Sequence, residues 1–177
     1  MDILTHRLAA ASDMEVLTAL MNAAICDLLP QFLPPEQVEA SFAVMGLDTM
    51  LIEDGTYFVI EIGGELAGCG GWSRRATLFG GNHTKGRNAR LLDPKTEPAR
   101  VRAMYTSPHF TRRGVGRKVL ALCEEAARKE GFSRVELAAT MGGKPLYEAC
   151  GYQPIEAIPV TTPNGVEVPL LRMGKAI

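Results

Sequence analysis

A chain of 177 residues, 46% of them apolar, is long enough for one domain with a real core, burying roughly 70% of its unfolded surface. Its formal net charge of −1 gives no overall attraction to nucleic acid or to an acidic membrane. No apolar run approaches the roughly 20 residues of a spanning helix, and Met1-Asp2 begins no signal peptide, so a cytoplasmic location is expected.

Ile3 to Leu8 reads as a first strand. Ser12-Asp13-Met14-Glu15 has the spacing of a capping box, with Ser12 at the N-cap and Glu15 three residues on. The helix it opens carries Val16, Leu17, Leu20, Met21, Ala24 and Leu28 on its apolar side and ends near Pro30. Pro34-Pro35 starts a second helix running to Gly46, and a short helical turn follows from Asp48 to Ile52. Thr56 to Ile62 and Glu65 to Trp72 flank Gly63-Gly64, a favoured two-residue hairpin turn. The second of these strands is rich in glycine, which marks close approach of backbone or ligand.

Arg75 to Ala99 has no periodicity. It is long for a loop in a compact domain, and is either a solvated excursion or a substrate lid. The four cysteines, Cys26, Cys69, Cys123 and Cys150, lack CxxC spacing and read as reduced, buried thiols. His6, His83 and His109 are too scattered for a metal site, and no metal is expected.

Residues 100–131 form the centre of the chain. Val101, Ala103 and Tyr105 alternate with Arg102, Met104 and Thr106, so Arg100, Arg102 and Met104 are expected on one strand face. Ser107-Pro108 ends the strand. Thr111-Arg112-Arg113-Gly114-Val115-Gly116-Arg117 leads into a helix with Val115, Val119, Leu122 and Ala126 on one side, closed by Gly131. A helix start leaves its first N–H groups without partners and carries about half a positive charge. Glycines there let a phosphate approach, and Arg112, Arg113, Arg117 and Lys118 add formal charge. The run is an anion cradle; the alternative is an ordinary turn with solvated basic residues. It is neither GxxxxGK[ST] nor G-x-G-x-x-G, because Val119 stands at the third glycine position.

The spacing is instead Q/R-x-x-G-x-G/A, with Thr111 where Gln or Arg is usual. Here the chain resembles the GNAT superfamily of acyl-CoA-dependent N-acetyltransferases, matching its motif A. Arg134 to Thr140 then reads as a strand, Lys144 to Cys150 as a short helix, and Tyr152 to Val160 and Val166 to Met173 as the last two strands. The resemblance therefore covers essentially the whole chain. It implies one α/β domain over residues 1–177: a mixed, mostly antiparallel seven-stranded sheet, its fourth and fifth strands splayed, with helices on both faces.

The resemblance further implies that Thr111 to Arg117 hold the pyrophosphate of acetyl-CoA, the cosubstrate. Met104, Tyr105 and Thr106 would hold pantetheine through main-chain groups, one N–H polarising the thioester carbonyl. Tyr147 matches the motif B tyrosine in its YxxxGY/F setting; with a phenol pKa near 10 it stays protonated and can donate to the departing thiolate. Thr140 stands where relatives often have Asn, in a ligand or a structural role. Arg100 occupies the position where many relatives place a basic glutamate, and arginine cannot act as a base. Glu61, His83 and His109 are replacements without positional support.

Arg100 and Arg102 suggest an amine acceptor bearing a carboxylate or phosphate; the competing reading is a salt bridge to Glu61, Glu65 or Asp93. Trp72 and Arg74 are further places to look for acceptor contacts. No cysteine lies at a nucleophile position in either motif, which favours direct transfer. The expected function is acetyl transfer to a primary amine of a small molecule or peptide. The alternative is a catalytically weak acyl-CoA-binding sensor or interaction module. Dimers are common among similar proteins, and a homodimer is one expected state.

Overall fold

The computed structural model describes residues 3–177. A seven-stranded sheet is built from β1 (Leu4–Leu8), β2 (Tyr57–Ile62), β3 (Glu65–Ser73), β4 (Ala99–Thr106), β5 (Arg134–Thr140), β6 (Gln153–Ala157) and β9 (Leu170–Ala176). Its order is β1-β2-β3-β4-β5-β9-β6, antiparallel except for the pair β4/β5. Between β6 and β9 the chain makes a separate two-stranded ribbon, β7 (Val160–Thr161) with β8 (Glu167–Val168). The two long terminal strands expected from the sequence are thus interrupted by an excursion.

One face is covered by α1 (Met14–Leu28), α2 (Pro35–Val44) and α3 (Thr49–Glu53), the other by α4 (Val115–Lys129) and α5 (Lys144–Ala149). Leu17, Leu20, Met21, Ala24 and Ile25 of α1 are buried against Tyr57, Val59, Cys69 and Tyr105. Each such Leu or Ile contributes about 1.5–3 kcal/mol. Val16, expected on this stripe, is 52% exposed. The α1 entry also differs from the expected capping box. A 3₁₀ turn, Ala11–Asp13, precedes the helix, and it is the Asp13 carboxylate that reaches back, accepting from the Ala10 N–H at 2.7 Å and pairing with Arg7 at 2.8 Å.

On the opposite face, Val115, Val119, Leu120, Cys123 and Ala127 of α4 are buried on the sheet. The glycines of β3 explain how closely this helix lies: a Cβ at Gly68 would come within 2.4 Å of Val115, and one at Gly70 within 2.6 Å of Val119. The glycine-rich strand therefore serves helix packing.

Two irregularities shape the centre of the sheet. First, β4 and β5 pair only through Ala99 with Val135 and Arg100 with Glu136, then separate. Second, β4 carries a bulge. Cys69 faces Tyr105 and Gly71 faces Arg102, so Ala103 and Met104 share the space opposite Gly70. Ala103 has φ +50°, in the left-handed region. The extra residue reverses the alternation of β4. Arg102 lies towards α3 and Tyr105 towards α1, whereas Met104 lies towards α4 and α5. The sequence period places Arg102 and Met104 on one face; the bulge sets them on opposite faces.

Candidate active site

Where β4 and β5 part, a cavity of about 240 Å³ opens. Arg102 to Thr106 form one wall, Leu137, Ala138 and Thr140 the other, α1 roofs one side, and Tyr147 closes the far side. Most of its remaining side chains are apolar. Arg102 is the one charged residue among the described residues that line it.

Tyr147 is placed by α5, which begins at Lys144-Pro145 with proline in the first turn. Its hydroxyl lies 3.9 Å from Met104 Sδ, and its ring meets Tyr152 edge-on at 6.0 Å. Burial raises its pKa well above that of a free phenol, so the group holds its proton at neutral pH. Thr140 ends β5 at the cavity wall and turns the chain into α5: its Oγ1 and its carbonyl each accept from the Gly143 N–H at 3.1 Å. Tyr105 points the other way, donating to the Gly46 carbonyl at 3.3 Å.

The stretch expected to cradle an anion joins the end of β4 to α4. Thr111 to Gly114 are exposed. Arg112 (φ +64°) and Gly114 (φ +83°) both take left-handed backbone, curling the chain so that successive N–H groups converge ahead of α4. The helical ladder begins with Lys118 N–H donating to Gly114 C=O at 2.9 Å, which leaves the first-turn N–H groups of Val115, Gly116 and Arg117 without a helical acceptor. A Cβ at Gly114 would meet nothing within 4 Å, so glycine is needed there for φ alone. Gly116 has a different reason: a Cβ would come within 2.5 Å of Leu146, the neighbour of Tyr147 on α5. The Arg113 guanidinium stacks on Phe110 at 5.4 Å. With first-turn N–H groups that lack helical acceptors, a left-handed glycine ahead of the helix and added positive charge, these residues fit a diphosphate.

Other residues singled out in the sequence lie elsewhere. Trp72 is buried on the α4 side against Phe132, and Arg74 stacks over it and forms a two-pronged pair with Glu130 at 2.6 and 2.8 Å. Neither reaches the cavity. Arg100 pairs with Glu136 at 2.8 Å across the β4/β5 junction. Glu61 pairs with Arg7, His109 is exposed beyond β4, and His83 bonds the Phe42 carbonyl at 3.0 Å. None of these three lines the cavity, nor does any other carboxylate or imidazole of the described residues.

The segment 75–98 folds back on itself. Arg75 grips Asp54 through two hydrogen bonds of 2.8 and 2.9 Å, and Ala76 and Thr77 bond back to Arg90 and Asn88. Its tip docks on the α2–α3 connection through Asn82 and supplies Leu78, Phe79 and Gly80 to the cavity wall.

Docking of this tip assembles a cluster that the sequence did not signal. Asp48, read there only as the start of a helical turn, caps α3 by accepting from the Met50 N–H, and its carboxylate also accepts from Arg87 at 2.5 Å and Arg102 at 3.2 Å. Asp48 and Arg102 are 5% and 3% exposed. Arg102 also donates to the Gly80 carbonyl at 2.7 Å. Desolvation lowers the pKa of its guanidinium and the Asp48 carboxylate opposes that shift. The partners expected for Arg100 and Arg102, namely Glu61, Glu65 or Asp93, are replaced by Glu136 and Asp48.

Residues 19–152 match the acetyltransferase (GNAT) family. The uncharacterized N-acetyltransferase YsnE of Bacillus subtilis (strain 168) is 29% identical over 125 residues, 68% of each chain. Among solved structures, a GCN5-related N-acetyltransferase from Rhodopseudomonas palustris superposes with TM-score 0.73 at 16% identity, over 98% of this chain and 95% of that one. The yncA protein of Salmonella typhimurium, solved with its cofactor acetyl-CoA, gives 0.64 at 17% identity over 98% and 94%.

Proposed function

The chain belongs to the acetyltransferase (GNAT) family of acetyl-CoA-dependent acyltransferases, and on that premise we propose that it moves the acetyl group directly to a primary amine of a small molecule. The observation that carries this reading is the β4/β5 gap, lined on one strand by Met104–Thr106 and closed by a protonated Tyr147. Acetyl-CoA supplies the acyl group as a thioester; a C–N bond forms as the C–S bond breaks, and the sulfur takes a proton.

The chain's own groups then divide the work. Thr111 to Arg117 anchor the diphosphate through convergent N–H groups and positive charge. The unpaired edge of β4 at Met104–Thr106 offers main-chain groups to an extended pantetheine arm, with an N–H available to the carbonyl oxygen. Thr140 borders that arm from β5. Tyr147 donates its proton to the sulfur, a role that its burial and its place 3.9 Å from Met104 Sδ both support. With no carboxylate or imidazole of the described residues lining the cavity, the amine reacts in its neutral form, its surplus proton passes to water, and water returns a proton to Tyr147.

Calorimetry with CoA, beside an initial-rate assay against a panel of small amines, tests the reading. Binding together with release of free thiol that depends on an amine is the expected result. Binding without turnover of any amine would reduce the protein to a CoA-binding module.

A further inference from the structure

The cluster around Asp48 is short of negative charge. One buried carboxylate faces two guanidinium groups, Arg87 and Arg102, and among the described residues no second carboxylate pairs with either. The Nε–H groups of both arginines are buried without an acceptor. Water meets part of the Arg87 charge, since that side chain is 24% exposed, but two buried donors without acceptors are costly to keep unless a further acceptor completes them. Arg102 is also the one charged residue of the described residues on the cavity wall.

The position narrows the class of anion. Arg102 precedes Met104 by two residues, and the Ala103 bulge turns it towards the α3 side, opposite Tyr147. A molecule whose amine meets the thioester beside Met104 would therefore extend its other end along the cavity wall towards the arginine. Both residues line the same cavity, which suits one small molecule bearing both groups. The wall also carries the apolar side chains of Ile25 and Leu28 of α1, Val44, Phe79 and Leu170. We propose that the acceptor is an amino acid with an apolar side chain, its carboxylate received by Arg102 with Arg87 and Asp48 behind. This rests on the acetyl-transfer reading above and names the substrate class for it.

The experiment compares leucine, methionine and phenylalanine with their amides, which keep the amine and the side chain but lack the anion. Wild-type protein is expected to acetylate the acids at least tenfold better in kcat/KM. Arg102→Gln and, one contact further back, Arg87→Gln are expected to bring the ratio of acid to amide near unity through KM, with CoA affinity unchanged. Acetylated leucine, methionine and phenylalanine are expected to raise the thermal midpoint of wild-type protein, and the acetylated amides are not. A purely structural Arg102, tying the 77–80 segment to β4, would lower acid and amide rates together; that outcome overturns the proposal. So does equal use of acid and amide by the wild type, a comparison that needs no variant to fold. Failure to bind CoA would instead remove the acetyl-transfer reading, and the acceptor assignment with it.

Discussion

The Tyr57 hydroxyl donates to the Ala103 carbonyl at 2.6 Å, joining the first residue of β2 to the bulged residue of β4. Ala103 sits at φ +50°, where a residue with a Cβ costs about 1–2 kcal/mol relative to ordinary backbone. The bond satisfies a carbonyl that the bulge takes out of the ladder with β3, so the phase reversal between Arg102 and Met104 depends on a residue 46 positions away. Tyr57→Phe is expected to cost about 1–3 kcal/mol, since it leaves that acceptor buried and unpaired. It should also lower kcat more than CoA affinity. Urea unfolding beside calorimetry would read both, and an unchanged kcat in a folded variant would detach the bulge from the chemistry.

Tyr147→Phe should reduce kcat by about 10²-fold, within the usual range for loss of a positioned acid, and leave the Kd of acetyl-CoA near its wild-type value. The ring keeps its edge-on contact with Tyr152, so thermal stability should barely move. Initial rates under conditions where chemistry limits turnover check this.

The pH profile should follow the acceptor. No carboxylate or imidazole of the described residues lines the cavity, and burial keeps the Tyr147 proton on beyond the alkaline end of the assay range. The rising limb of kcat/KM should therefore move with the pKa of the amine used. A limb fixed near pH 6–7 for every amine would reveal a basic side chain instead.

Gly114→Ala places a Cβ on left-handed backbone with φ +83°, at a cost of about 1–2 kcal/mol. Relief by unwinding the first turn of α4 would spoil the convergent N–H groups. CoA affinity should fall about tenfold, read by calorimetry, with little change in kcat at saturation.

Asp54 and Arg75 fasten the folded-back segment 75–98 to the end of α3. The Arg75 hydrogen bonds hold the Asp54 pKa below the ordinary carboxylate range. A group whose pKa is depressed on folding stabilises above its unfolded value, about 3.9, and that stabilisation is lost as pH falls through the lower folded value. Asp54→Asn should therefore cost about 1 kcal/mol, constant from pH 5 to 8, and the difference from wild type should shrink below about pH 4. Thermal midpoints across pH measure it.

Local chemistry was legible in the sequence because it is carried by neighbours. Strand period, proline stops, the Gly63-Gly64 turn and the Gly114 helix start set the order of elements and the glycine turn ahead of α4, which depend on residues a few positions apart. Tertiary structure alone decided which way Arg102 faces. Alanine carries no signal for left-handed backbone, and the bulge is held by Tyr57 and by the space opposite Gly70. In the same way Asp48, Arg87 and Arg102 come from three separate segments, and only the docking of the 75–98 loop leaves two arginines sharing one buried acid. Charge balance at a buried point is a property of the assembled space, and no stretch of chain contains it.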